Sequence, residues 1–97
     1  MEKYQVALLM NIRKQLQEWF EKSQPVQYQD VKRFLHSVAG TSQTIGLEYL
    51  GKVSTELLDR ISEHPQSTWH TKELQSLLID IIKFAIKMKE LEFQKKQ

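Results

Sequence analysis

The sequence predicts an all-α protein that folds as an antiparallel, up-and-down bundle of four helices. Apolar residues recur at spacings of three and four along nearly the whole chain, which is the period of a helix with one buried face. Only three glycines and two prolines interrupt the pattern. The interruptions leave four helical segments with short connections, and short connections favour antiparallel neighbours.

The first two helices are predicted on either side of the sequence Ser23-Gln24-Pro25. The first covers about residues 3–22. The second begins somewhere between Pro25 and Asp30 and continues to about Thr44, where Gly46 is well placed to end it in the left-handed conformation. The apolar face of the first helix consists of Leu8, Leu9, Ile12, Leu16, Trp19 and Phe20.

The other two helices are predicted on either side of Pro65. The third covers about residues 47–63, and the fourth begins at about Thr71 or a few residues earlier. The fourth helix has a second apolar face, which predicts contact with more than one neighbour or with another molecule. Its two faces contain Leu74, Leu77, Leu78, Ile81, Ala85 and Met88 on one side and Ile79, Ile82, Ile86 and Phe93 on the adjoining side.

Length and composition predict a single domain over residues 1–97 that is cytoplasmic. Ninety-seven residues are enough for one core but not for two. The chain has no cysteine, no membrane-length apolar stretch and no signal-peptide pattern. Its net charge of +2 is too small for a nucleic-acid protein, and the excess lies near the C-terminus. Residues 93–97 are expected to form a tail or a linker to a following domain.

The polar face of the second helix contains a histidine. At about 100° per residue, Val31, Phe34, Val38, Thr41 and Ile45 lie on the opposite side from His36. His36 is therefore expected to point toward solvent and Thr41 toward the core. The residues within roughly 60° of His36 are Gln29, Lys32, Arg33, Ala39, Gly40 and Gln43.

Gly40 lies one turn after His36 on the same predicted face. A glycine in a helix interior costs about 1 kcal/mol relative to alanine, so its presence requires a reason. Close approach of another surface is that reason, because the missing side chain leaves the imidazole uncovered on its C-terminal side. Ser42 is expected at the edge of the apolar side, where a small residue lets two helices approach.

The segment from His36 to Gly46 resembles the signature of the histidine-containing phosphotransfer (HPt) domain family. The matching positions are His36, Val38, Gly40, Ser42 and Gly46, and the following leucines Leu47, Leu50, Leu57 and Leu58 are similar to the family's next helix. The resemblance implies a four-helix bundle with His36 as the phosphoacceptor. The family usually has a lysine three residues after the histidine, whereas this chain has Ala39.

The resemblance implies a phosphoryl carrier in a multistep two-component phosphorelay. The implied partners are receiver domains of response regulators or hybrid kinases, in trans or in the same polypeptide, and the implied magnesium ion is held by the receiver. Neutral imidazole is an available nucleophile near neutral pH. The chain has no glycine-rich nucleotide loop or acidic metal cluster, so we expect neither kinase activity nor an intrinsic cofactor or metal. The domain is either free-standing or the N-terminal module of a larger signalling protein. Such a protein would also contain a receiver and an output domain, for example a diguanylate cyclase.

The expected site residues surround His36. Gly40, Ala39 and Gln43 are predicted to form the phosphoryl environment or the docking surface, and Lys32 and Arg33, one turn earlier, can supply the positive charge that Ala39 lacks. Two alternatives remain open. One is a docking module that binds a receiver without carrying phosphate, and the other is a helical oligomerisation domain that uses the second apolar face of the last helix.

Overall fold

Helices account for most of the chain, as the apolar periodicity predicts. The computed structural model describes residues 3–22, 24–63 and 67–95, with side-chain surroundings described as far as residue 88. In chain order the elements are α1 Lys3–Lys22, β1 Val26–Gln27, α2 Tyr28–Thr44, α3 Glu48–Glu63, β2 Thr68–Trp69, α4 Thr71–Leu77 and α5 Ile79–Lys95. Within these ranges no helix is long and apolar enough to cross a membrane.

The turn between α2 and α3 confirms the predicted role of Gly46. Gly46 has φ +82°, in the left-handed region that glycine adopts without a steric penalty. The N–H of Leu47 donates to the Ser42 carbonyl oxygen at 2.9 Å, which is the six-residue hydrogen bond of a Schellman motif. This motif ends α2 and starts α3 almost immediately.

The predicted fourth helix is interrupted at Leu78, which separates α4 from α5. Leu78 has φ −95° and ψ 13°, outside the helical region. Its N–H nevertheless donates to the Leu74 carbonyl oxygen at 2.9 Å, and its own carbonyl oxygen accepts from Ile82 N–H at 2.9 Å. Helical hydrogen bonding therefore continues through a local distortion, which the apolar pattern alone does not predict.

Two short strands pair across the ends of the helices. Val26 lies opposite Trp69 and Gln27 opposite Thr68 in an antiparallel ladder. The N–H of Tyr28 extends the contact by donating to the Ser67 carbonyl oxygen at 3.0 Å. Strands of two residues are too short to show a period of two in the sequence, so they were not predicted. The pairing holds the α1–α2 and α3–α4 connections together at one end of the molecule.

The helices surround one apolar core. α1 contacts α2 and α5, and α3 contacts the same two helices. The last helix therefore contacts more than one neighbour, as its doubled apolar face predicts. α2 and α3 form the most extensive helix pair. The apolar side chains with less than 2% exposure are Ile12, Val31, Leu35, Leu50, Ile61, Leu74, Leu78 and Ile81.

Small residues line the contact between α2 and α3. Ala39, Ser42, Gly51 and Ser54 are all buried. Each serine follows the other small residue of its helix by three positions, which places the two on the same side of that helix. A Cβ atom added to Gly51 would lie 3.6 Å from the Ala39 carbonyl oxygen and 3.1 Å from Gln43 Cγ. The Ser42 and Ser54 hydroxyls have no hydrogen-bond partner among the described residues, so packing is the reason for their small size. The prediction that Ser42 is a packing residue is confirmed.

The second apolar face of the last helix is only partly covered. Ile79 is 42% exposed and Ile86 is 53% exposed, whereas Ile82 is half-buried against the core. The side chain of Phe93 lies outside the described part of the chain. Because α5 extends to Lys95, the segment predicted as a tail at 93–97 is helical at least to that residue, and residues 96–97 are outside the described ranges.

We expect Gly46→Ala to lower the free energy of unfolding by about 1 kcal/mol, because an L side chain at positive φ meets the following carbonyl oxygen. Space is not the reason, since the added Cβ would lie 3.8 Å from its nearest neighbour, Gln5 Nε2. Urea unfolding followed by circular dichroism measures the change. An unchanged midpoint and slope would contradict the left-handed turn.

Candidate functional site

His36 is exposed on the surface of α2, as predicted. The preceding residue, Leu35, is fully buried, and Val31 and Val38 are buried on the same side. A helix places residue 36 about 100° from residue 35, so the packing of these three side chains directs His36 away from the core. The apolar side of α2 therefore fixes the direction of the imidazole.

Gly40 is exposed one turn beyond His36, and the space around it is open. A Cβ atom added there would have no heavy atom within 4 Å, apart from its own helix backbone and neighbouring residues. The Gly40 carbonyl oxygen also accepts a hydrogen bond from Thr44 Oγ1 at 3.0 Å. Nothing among the described residues packs against this position in a way that requires glycine.

The three glycines differ in what they do. Gly46 is required by its positive φ. Gly51 is buried against α2, where an added Cβ would be 3.1 Å from Gln43 Cγ. Gly40 alone among the three has neither positive φ nor a close neighbour. Its helix-weakening effect therefore has no compensating contact within the described part of the chain.

Two predictions about α2 are wrong because the buried side is rotated toward α3. Ala39 was expected on the exposed face, but the residue is only 7% exposed, and its carbonyl oxygen lies 3.6 Å from the point that a Cβ atom on Gly51 of α3 would occupy. Thr41 was expected to face the core, but it is exposed. Sequence spacing gives only the directions of side chains relative to one another around the helix. The close approach of α3 determines which side of α2 is buried. Ala39 therefore does not form the open centre of the surface.

The two predicted cations lie on different sides of His36. Lys32 and Arg33 are both exposed, and neither forms an ion pair with a described residue. By helical geometry Lys32 is about 40° from His36 on the side of α3. Arg33 lies about 60° from His36 in the other direction and lines the groove between α1 and α2. Lys32 is thus the cation closer to His36 around the helix.

The groove between α1 and α2 was not predicted. It has a volume of about 450 Å³, and two of its lining residues, Trp19 and Phe34, have ring centroids 5.1 Å apart in an edge-to-face arrangement. Asn11, Gln15 and Glu18 line it from α1, and Asp30 and Arg33 from α2. The sequence pattern shows which residues share a face of α2, but not which residues of α1 lie opposite that face. Predicting the groove would have required the rotation of the two helices relative to each other.

Gln43 lies on the same side of α2 as His36, two turns further along. Its side chain is exposed, and its Cγ is next to Gly51 of α3. Gly51 had no predicted role, although an interior helix glycine is a signal for close packing. The exposed part of the site is therefore a strip formed by Lys32, His36, Gly40 and Gln43.

Metal binding has no support in the described ranges. They contain no group of three histidine, aspartate or glutamate side chains that could hold an ion. His70 is exposed at the start of α4, away in sequence from His36, and His64 lies outside the described residues.

No protein-family model, curated protein or solved structure matches this chain. The feature that distinguishes its surface is an exposed histidine one turn before an exposed helix glycine, which packs against nothing in the described part of the chain.

We expect Gly40→Ala to raise the free energy of unfolding by up to about 1 kcal/mol, because alanine favours the helix and the added methyl meets open space. Urea unfolding again provides the measurement. Gly51→Ala is the matched control, since the same gain in helix propensity is there opposed by a 3.1 Å contact with Gln43 Cγ. A Gly40→Ala protein that unfolds more easily than the wild type would show that Gly40 serves the fold.

Proposed function

We propose that this protein is a phosphoryl carrier of the HPt type, with His36 as the residue that is phosphorylated. It accepts the phosphoryl group from the aspartate of a receiver domain and passes it to another receiver. The four helical units, with α4 and α5 taken as one, form an antiparallel bundle that displays His36. The chain itself supplies the nucleophile and the docking surface, and the receiver supplies the magnesium ion.

The observation that carries this proposal is the open surface at Gly40. A glycine in the interior of an exposed helix weakens the helix by about 1 kcal/mol. Neither packing nor backbone conformation within the described residues requires it. A partner that must bring a phosphorylated aspartate to the imidazole does require it, because any larger side chain one turn from His36 stands in the path of that partner.

The helix contacts support the bundle. The main contacts among α1, α2, α3 and α5 form a closed ring, in which α1 meets α2, α2 meets α3, α3 meets α5 and α5 meets α1. The β1–β2 pair brings the α1–α2 and α3–α4 connections to the same end. An up-and-down bundle has both of these properties, since its first and third connections lie at one end.

The chemistry at His36 is a substitution at phosphorus. A neutral imidazole nitrogen attacks the phosphorus, the bond to the aspartate oxygen breaks, and the carboxylate leaves with its electron pair. The second ring nitrogen keeps its proton, so this step needs no general base. Delivery to the next receiver reverses the roles, with the imidazole as leaving group. The exposure of His36 suits both steps because either partner can align with the ring.

Lys32 is the residue that can supply positive charge beside the phosphoryl group. It lies one turn before His36 on the α3 side and is free of ion pairs with the described residues. The buried Ala39 leaves no cation at the position where the family usually has lysine. That substitution is also the one observation that favours a docking module without phosphate transfer.

Phosphoryl transfer from a panel of labelled, phosphorylated receiver domains tests the proposal. We expect the wild type to gain label that is acid-labile and alkali-stable, and His36→Gln to gain none. His70→Gln is the matched control, because His70 is also an exposed histidine and should not affect labelling. Receivers that bind the protein without labelling it would establish the docking module instead, and label retained by His36→Gln would place the phosphate elsewhere.

We expect Gly40→Gln to fold normally and to lose phosphoryl transfer, because its side chain extends into open space and covers the approach to His36. Circular dichroism and urea unfolding check the fold, and the receiver panel checks transfer. Normal transfer rates in Gly40→Gln would rule out a close approach of the partner over this position.

A further inference from the structure

We propose that Gln43 is a recognition residue for the docked receiver and that Gly51 is the positioning residue that holds it in place. Gln43 belongs to the partner contact and not to the phosphoryl site. This inference rests on the proposed function and adds a division of labour to it. His36 performs the chemistry, and Gln43 contacts the partner at the C-terminal end of the strip.

The position of Gln43 depends on the absence of a side chain at Gly51. The Gln43 side chain extends toward α3, where its Cγ lies 3.1 Å from the point that a Gly51 Cβ would occupy. Ordinary carbon–carbon contacts are about 3.5–4.0 Å, so even a methyl group at position 51 requires Gln43 Cγ to move by about a few tenths of an ångström. The Gln43 N atom lies 3.6 Å from the same point, which shows that the helix backbone is close as well.

Gly51 itself is held firmly. It is buried, and its N–H donates to the Leu47 carbonyl oxygen at 3.0 Å. Its carbonyl oxygen accepts a hydrogen bond from Thr55 Oγ1 at 2.9 Å. The Gln43 side chain therefore lies against the backbone of Gly51, whose N–H and carbonyl groups are both hydrogen-bonded. This backbone supports the Gln43 side chain on one side.

Distance separates Gln43 from the phosphoryl group. Seven residues of helix correspond to about 10.5 Å along the axis. Helical side chains all tilt toward the N-terminus, so the imidazole of His36 and the side chain of Gln43 are displaced in the same direction and their separation along the axis is kept. The Gln43 side chain extends sideways onto α3 and not along α2 over Gly40, whose added Cβ has nothing within 4 Å. A partner surface that covers both residues reaches Gln43 without bringing it near phosphorus.

The side-chain carboxamide of Gln43 suits hydrogen bonding to an uncharged group that has both a donor and an acceptor, such as a peptide group. Its carboxamide makes no hydrogen bond to a described residue, although its aliphatic part is supported by α3. A carboxamide offers both donors and an acceptor. A peptide group exposed in a loop or at a helix end of the receiver has the complementary pair. The contact adds orientation to the docking because it fixes a second point about two turns from the histidine.

Transfer kinetics at varied receiver concentration test this assignment, with Gln43→Ala, Gly51→Ala and the double variant. One lost hydrogen bond predicts a rise in KM of about two- to tenfold for Gln43→Ala. The transfer rate at saturating receiver and the hydrolysis rate of phosphohistidine should stay at the wild-type values. Gln75→Ala is the matched control, since Gln75 is an exposed glutamine on α4.

Gly51→Ala should raise KM in the same direction while retaining the fold, because only Gln43 is displaced. The double variant should be no worse than Gln43→Ala, since both changes remove one contact. An unchanged KM in Gln43→Ala, or additive effects in the double variant, would overturn the assignment. Transfer to the wild type with no effect of Gln43→Ala refutes this inference alone, whereas no transfer to the wild type refutes the proposed function as well.

Discussion

The close packing of α2 against α3 is the constraint on which the rest of the structure depends. It requires small residues where the helices meet, and Ala39, Ser42, Gly51 and Ser54 supply them. Two of these are serines with buried hydroxyls that lack a partner among the described residues, which costs free energy that an alanine would not. The contact sets the rotation of α2, and that rotation decides which residues reach solvent. His36 and Gly40 are exposed because Ala39 and Ser42 are not.

The apolar periodicity predicted the helical segments of the chain but not how each helix is rotated about its own axis. The helix boundaries of α1, α2 and α3 and the turn at Gly46 follow from local sequence, because apolar spacing and glycine conformation act over a few residues. The distortion at Leu78 and the β1–β2 pair depend on contacts between distant segments. The errors at Ala39 and Thr41 have the same origin, since no local signal shows which neighbour presses closest on a helix.

The candidate site was predictable to the same extent. The exposure of His36 and Gly40 follows from the strong apolar side of α2, and both were predicted correctly. The supporting role of Gly51 required the structure, because it depends on a contact between helices. The cations divide in the same way: Lys32 and Arg33 are equivalent in sequence terms, but the position of α1 places Arg33 in a groove and leaves Lys32 beside His36. The positive charge around His36 is therefore asymmetric.

The claim that the strip of Lys32, His36, Gly40 and Gln43 is where a partner docks can be tested directly by nuclear magnetic resonance. The experiment is titration of the isotope-labelled protein with a panel of receiver domains, reading the backbone amide signals. We predict that a receiver that binds perturbs the amides of residues 32–43 in α2 and those near Gly51 in α3. Binding that perturbs only the exposed aliphatic surface of α5 around Ile79 and Ile86, with no change at Gly40, would contradict the account.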